Sequence, residues 1–165
     1  MIQLIQVDGT VVNLSQSPQF VEHYLKPSAG AEYIIKQEIN TGGCYDELLS
    51  TVPDDGVIID IGSNVGLWSI YMGAKKRKFF CVEPYEPHNM VARELFKILG
   101  FDATIFHGVI YSRGDLLRLF VEPQGTHANR VGGDGTHLVS SITLGNLMKI
   151  NDIDSVDLLK MDCEG

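Results

Sequence analysis

The sequence predicts an α/β fold built on a Rossmann-like, doubly wound parallel sheet. Val57-Ile58-Ile59 is a β-branched run without alternation, the pattern of a parallel strand covered on both faces. A tight glycine loop, Gly62 to Gly66, follows it and opens a strand–helix–strand series that continues down the chain. The buried runs end in acids, Asp60, Glu83 and Asp162, which a parallel sheet would gather on one carboxyl edge, where such folds bind ligands.

The 165 residues suffice for one domain with a real core, and 44% hydrophobic with 21% charged residues is ordinary globular composition. The expected organisation is an N-terminal β-ribbon and helical extension over 1–52, joined to a ligand-binding domain over 53–165. A net charge of −8 disfavours nucleic acid or an anionic membrane as partner. The basic cluster Lys75-Lys76-Arg77-Lys78 reads as a solvated turn. Cys44, Cys81 and Cys163 are odd in number and lack metal-ligand spacing, so they read as reduced, mostly buried thiols of a cytoplasmic protein. No stretch has the length and apolarity of a membrane span, and the N-terminus lacks a signal-peptide pattern.

Ile2 to Val7 and Thr10 to Leu14 flank Asp8-Gly9, a hairpin signal, and predict the small ribbon. Ser15 to Pro27 is ambiguous, although Phe20, Val21 and Tyr24 have helical spacing. Helices are expected over 29–40 and 45–50. After the strand at 57, the apolar stripe Leu67, Ile70, Tyr71 and Ala74 predicts a helix over 65–74. A second buried strand covers 79–82 and ends in Glu83-Pro84. The helix 87–99 follows, with Gly100 as its C-cap. A third strand covers 103–110, and 116–121 is an extended piece expected to pair back on it as a hairpin. Residues 123–138 read as a long loop shaping a binding site. A short helix over 143–149 and a buried strand over 156–161 complete the series.

The glycine loop Gly62-Ser63-Asn64-Val65-Gly66 lacks the middle glycine of a dinucleotide fingerprint. That glycine lets a pyrophosphate rest on the helix N-terminus, so Asn64 in its place argues against a diphosphate. Glu83, ending the next strand, has the chemistry to accept hydrogen bonds from both hydroxyls of a ribose. The site therefore suits an adenosine-like nucleoside without a pyrophosphate.

The segments 57–66, Cys81-Val82-Glu83-Pro84, Ile142-Thr143-Leu144 and 159–165 stand in the order of the FkbM family of S-adenosylmethionine-dependent methyltransferases, which the chain resembles over roughly residues 55 to 165. The first resembles D-x-G-A-N-x-G with Ser63 for alanine, and the last resembles K-x-D-x-E-G. Gly145 stands where the family has an acid. The resemblance implies a class I methyltransferase sheet, here truncated after its fourth core strand. The strand ending at Met161 would then be an exposed edge that a homodimer could cover. The resemblance also implies S-adenosylmethionine as cofactor. Asp60, Gly62, Ser63, Asn64 and Gly66 would surround its methionine and ribose. Glu83 would hold the ribose hydroxyls, and Pro84 and Tyr85, with residues near His107, Gly108 and Val109, would border the adenine. Asp162 and Glu164 would face the methyl group and a small-molecule acceptor. Asp162 is the first candidate for proton removal and Glu164 the second, unless Asp162 only contacts the cofactor and Glu164 only caps its strand. The expected reaction is O-methylation of a sugar or small natural product, without metal. An NAD-type oxidoreductase and a non-catalytic cofactor-binding module are the alternatives. His127 and His137 read as solvated loop residues.

Overall fold

A computed structural model describes residues 2–6, 9–26, 35–39, 45–73, 77–121 and 129–163. Gly9, at φ +84°, turns the chain between β1 (Gln3–Ile5) and β2 (Val11–Asn13), which pair antiparallel as the ribbon. Leu4 and Leu14 are fully buried in the same apolar cluster as Phe20, Tyr24 and Ile58, so the extension shares the main core. The ambiguous segment is helical: a 3-10 turn at Leu14–Gln16, then α1 (Pro18–Phe20), which runs into a π-helical turn at Val21–Leu25. Ser17 caps α1, its Oγ accepting from the Phe20 N–H at 3.0 Å and donating to Glu94. Of the helix expected over 29–40, Ile35–Ile39 forms a π-helical turn, and the rest lies outside the described residues. The short helix is α2 (Asp46–Ser50).

The β-branched run forms β3 (Val57–Ile61). Helix α3 (Leu67–Met72) is shorter than the span expected over 65–74, because Gly66, left-handed at φ +77°, forms its N-cap and Gly73 its C-cap. Then come β4 (Lys78–Glu83) and α4 (Glu86–Leu99), which ends on the expected left-handed Gly100. The strand expected over 103–110 breaks into β5 (Ala103–His107) and β6 (Val109–Ile110). Gly108 makes the break. A Cβ there would meet the Phe106 ring at 2.3 Å and Ser140 O at 2.5 Å. The chain continues with β7 (Leu116–Phe120), β8 (Arg130–Val131), β9 (His137–Ile142), α5 (Leu144–Ile150) and β10 (Leu158–Met161). Thr143 caps α5 by accepting from Asn146 N at 3.1 Å.

The strands form a parallel sheet in the order β10-β3-β4-β5, with right-hand neighbours built in sequence and β10 returning on the other side of β3. This is the doubly wound architecture the sequence predicts. Its switch point falls between β3 and β10, beside the glycine loop. Side-chain parity assigns the two faces. Ile58, Phe79 and Cys81 pack with α3 and α4, while Ile59, Ile61 and Val82 pack with α5.

Four expectations are corrected. The 116–121 strand does not fold back on the third strand. It pairs antiparallel with β9 (Leu116↔Ser140) and β8, because the chain has left the parallel sheet at Gly108. The loop expected over 123–138 therefore contains β8 and the start of β9, and 122–128 lie outside the described residues. The last strand is only half-buried, since β10 is an edge strand with Leu159 and Met161 exposed. Arg77 is not part of a solvated turn. It is buried, and its guanidinium donates to the carbonyls of Pro53 (3.0 Å), Met72 (3.0 Å) and Val52 (2.9 Å). Cys81 is buried as expected, Cys163 is exposed, and Cys44 lies outside the described residues. Among the described residues no helix is long and apolar enough to cross a membrane.

Candidate functional site

The glycine loop is held from below by the ends of β4. Gly62 N and Ser63 N both donate to Val82 O, at 2.9 and 3.2 Å. Asn64 N donates to Glu83 Oε2 at 3.0 Å, Val65 N to Asn64 Oδ1 at 2.8 Å, and Gly66 N to Ser63 O at 2.8 Å. Every amide of the loop is thus satisfied inside the protein. Two glycines are fixed by geometry. Gly62 has φ +78°, and a Cβ there would lie 2.0 Å from Asp162 O, so the loop presses directly on the chain leaving β10. Gly66 has φ +77°, and a Cβ would meet the Phe96 ring at 2.6 Å. Asn64 adopts the left-handed conformation (φ 52°), which asparagine tolerates better than most residues.

Glu83 is the hub of this edge. Its Oε1 accepts from Tyr85 N at 2.9 Å and lies 3.3 Å from His88 Nδ1, while Oε2 accepts from Asn64 N. A carboxylate offers about four acceptor positions, so capacity remains on Oε2. The buried His88 Nε2 has no partner among the described residues. Asn89 Nδ2 and Gly108 N both donate to Glu83 O, at 3.0 and 3.2 Å, tying α4 and the β5–β6 break to the same residue.

Asp60 behaves differently from the expectation that it surrounds a ligand. The strand continues to Ile61, so Asp60 pairs in register with Cys81 and Lys160 and takes the face that packs on α3. It is fully buried, accepts from Ser69 Oγ at 2.7 Å and from Lys160 Nζ at 2.9 Å, and lines neither cavity described below. Burial raises its carboxyl above the ordinary range, with Lys160 and Ser69 pulling it partly back. Burial alone would lower Lys160, but the Asp60 charge outweighs it and leaves the amine raised. The adjacent Cys81 thiol is pushed up by burial and by Asp60, so it is an inert thiol.

Two cavities flank the loop. The first, about 390 Å³, lies over the carboxyl ends of β3 and β4 and is lined by Glu83, Pro84, His88, Gly108 and Val109, with apolar walls from Ile61, Val82 and Leu119. The second, about 290 Å³, lies toward the N-terminal extension and is lined by Tyr24, Tyr45, Ser63, Trp68 and Lys160. Gly62, Asn64 and Asp162 border both. The structure therefore gathers Gly62, Asn64, Glu83, Pro84, Gly108, Val109 and Asp162 at the first cavity and puts Ser63 on the second. Gly66 lines neither, its place being explained by Phe96. Glu164 lies outside the described residues, as does His127. His137 begins β9, its ring 6.4 Å from that of Tyr85.

Sequence reasoning did not single out His88, Trp68 or Lys160 as site residues. For His88 a signal was present: it is one turn into the helix that follows Glu83, on the side facing the strand end. Nothing in the sequence pattern marks Trp68.

No protein-family model matches the chain. Over 78 residues it is 33% identical to methyltransferase sdnD of Sordaria araneosa, a match covering 43% of this chain and 29% of that protein. Over 57 residues it is 40% identical to methyltransferase 1 of Beauveria bassiana strain ARSEF 2860, covering 34% of this chain and 21% of that protein. The matched segments thus span less than a third of either relative. Among solved structures, methyltransferase FkbM from Methylobacillus flagellatus KT aligns with 90% of this chain and 41% of its own, at TM-score 0.45 and 14% identity. A SAM dependent methyltransferase from Aquifex aeolicus aligns with 67% of this chain and 53% of its own, at TM-score 0.33 and 15% identity.

Proposed function

We propose that this chain is an S-adenosylmethionine-dependent methyltransferase acting on a hydroxyl of a small molecule. The observation that carries the reading is the state of the glycine loop. Its five amides are spent on Val82, Glu83, Asn64 and Ser63, so none is left to cradle a diphosphate, while Glu83 keeps acceptor capacity at the cavity edge. That combination supports a nucleoside held through its ribose and disfavours a nicotinamide dinucleotide. The partial matches to two named methyltransferases agree with it.

The residues present fit the cofactor. Apolar Ile61, Val82 and Val109 offer walls for an adenine, and Glu83 offers an acceptor for ribose hydroxyls. When bound, S-adenosylmethionine supplies a methyl group on a sulfonium, already activated for displacement. The protein's contribution is alignment of the acceptor oxygen and removal of its proton. Asp162, on the rim shared by both cavities and with its side chain open to solvent, accepts that proton. Lys160, 3.7 Å from Asp162 and 2.9 Å from Asp60, orients the rim.

Calorimetric titration with S-adenosylhomocysteine tests the reading. The wild-type chain should bind it. Glu83→Ala should weaken binding about 10- to 100-fold, the worth of one or two hydrogen bonds to a charged group. Absence of binding by the wild type, or tighter binding of NAD, would remove the proposal.

A further inference from the structure

We propose that His88 is a positioning residue of the ribose site: its Nδ1 braces the Glu83 carboxylate, so that the ribose hydroxyls of the cofactor meet an acceptor already held in place. The inference rests on the reading of Glu83 as the ribose acceptor and adds a residue to that site.

The carboxylate is held by three contacts. Glu83 ends β4 and is 4% exposed, so water fills few of its acceptor positions. Asn64 N, in the glycine loop, donates to Oε2 at 3.0 Å, and Tyr85 N, where the chain turns into α4, donates to Oε1 at 2.9 Å. His88 Nδ1, 3.3 Å from Oε1, is the third and comes from a side chain. A buried carboxylate short of partners is costly, so each contact helps to keep it in place and charged. Tyr85 and His88 share Oε1, which leaves Oε2 as the oxygen with room for a ligand hydroxyl.

The imidazole is itself fixed. His88 is 1% exposed, stands in the first turn of α4 and borders the first cavity. The Tyr85 ring meets it edge-on, with centroids 4.9 Å apart and planes at 88°. The N-terminal extension brings the Tyr24 ring to 6.4 Å at 78°. Buried rings packed together leave a side chain little freedom, so the extension and α4 set the position of Nδ1 between them. Through this one imidazole the extension reaches the ribose site.

Packing alone does not call for a nitrogen here. A phenylalanine would fill the space and bury no polar atom, whereas the imidazole leaves Nε2 without a partner among the described residues. The Glu83 contact is what offsets that cost. A carboxylate oxygen only accepts, so the contact is a hydrogen bond with the proton on Nδ1, and a bare Nδ1 would set its lone pair against a buried anion.

Calorimetry with S-adenosylhomocysteine and with its analogue lacking both ribose hydroxyls separates positioning from packing. His88→Phe keeps a flat ring without nitrogen, and His88→Asn returns an amide nitrogen near the place of Nδ1. The expected result is that His88→Phe weakens S-adenosylhomocysteine about tenfold and the dideoxy analogue by less than about twofold, while His88→Asn restores most of the loss. Equal loss for both ligands, no loss for either, or a His88→Asn variant as weak as His88→Phe would overturn the inference and leave Glu83 as the ribose acceptor. A wild type that binds the two ligands equally, or binds neither, would remove the ribose reading and the inference with it. The imidazole nitrogen shifts of His88 in the unsubstituted chain, read by heteronuclear NMR, give a check that needs no variant to fold. A protonated Nδ1 is expected, and a bare Nδ1 would overturn the role of His88.

Discussion

Replacing Lys160 by methionine leaves Asp60 buried with Ser69 as its remaining polar contact. Breaking a buried ion pair from one side costs about 3–5 kcal/mol. Asp60 can also escape by taking a proton. From an ordinary value of 3.8, neutralising it at pH 7 costs about 4 kcal/mol, which is a ceiling on the loss. With the Ser69 bond retained, we expect Lys160→Met to lower the unfolding free energy by about 3 kcal/mol at pH 7, or the melting temperature by about 6–12 °C for a chain of this size. The pH dependence has a definite sign. The folded-state carboxyl is raised, so the native state binds more protons than the unfolded chain, and stability falls as pH rises through that window. Removing Lys160 raises the carboxyl further and steepens the fall. At pH 4.5 the ceiling shrinks to about 1 kcal/mol, and the variant should then lie close to wild type. Adding Asp60→Asn removes the stranded charge and should recover most of the pH 7 loss. Urea unfolding followed by far-ultraviolet circular dichroism measures all of these. A deficit below 1 kcal/mol at pH 7, or one unchanged between pH 7 and pH 4.5, would refute the reasoning.

Further outcomes follow from the same contacts. Gly62→Ala combines a positive φ with a 2.0 Å clash against the backbone of Asp162, so it should lower stability by about 3 kcal/mol or more and abolish S-adenosylhomocysteine binding in calorimetry. Arg77→Leu strands three carbonyls and should cost about 2–4 kcal/mol in urea unfolding, whereas Lys78→Ala next to it, exposed, should stay within about 0.5 kcal/mol.

The doubly wound sheet was legible because a parallel core strand writes itself as an unbroken β-branched run, and Val57–Ile59 did. The glycine loop, Glu83 and Gly100 were legible for similar reasons: each has a conformation or chemistry that few residues satisfy. What escaped depends on contacts distant in sequence. The break at Gly108 is dictated by Phe106 and Ser140, and the partner of β7 lies beyond a segment with no periodic signal. Asp60 looked like a strand-end ligand. The extra residue Ile61 kept it in the sheet, and parity turned it onto Ser69 and Lys160. Arg77 read as surface because a charge run carries no mark of the three carbonyls waiting for it.

The most direct test of the central claim is a crystal structure of the chain with S-adenosylhomocysteine. The ribose hydroxyls are expected within hydrogen-bonding distance of the Glu83 carboxylate, with the adenine beside Gly108 and Val109 and the thioether sulfur at the rim formed by Gly62, Asn64 and Asp162. A ligand bound with Glu83 still holding only Asn64, Tyr85 and His88, or seated instead in the cavity beside Trp68, would contradict it.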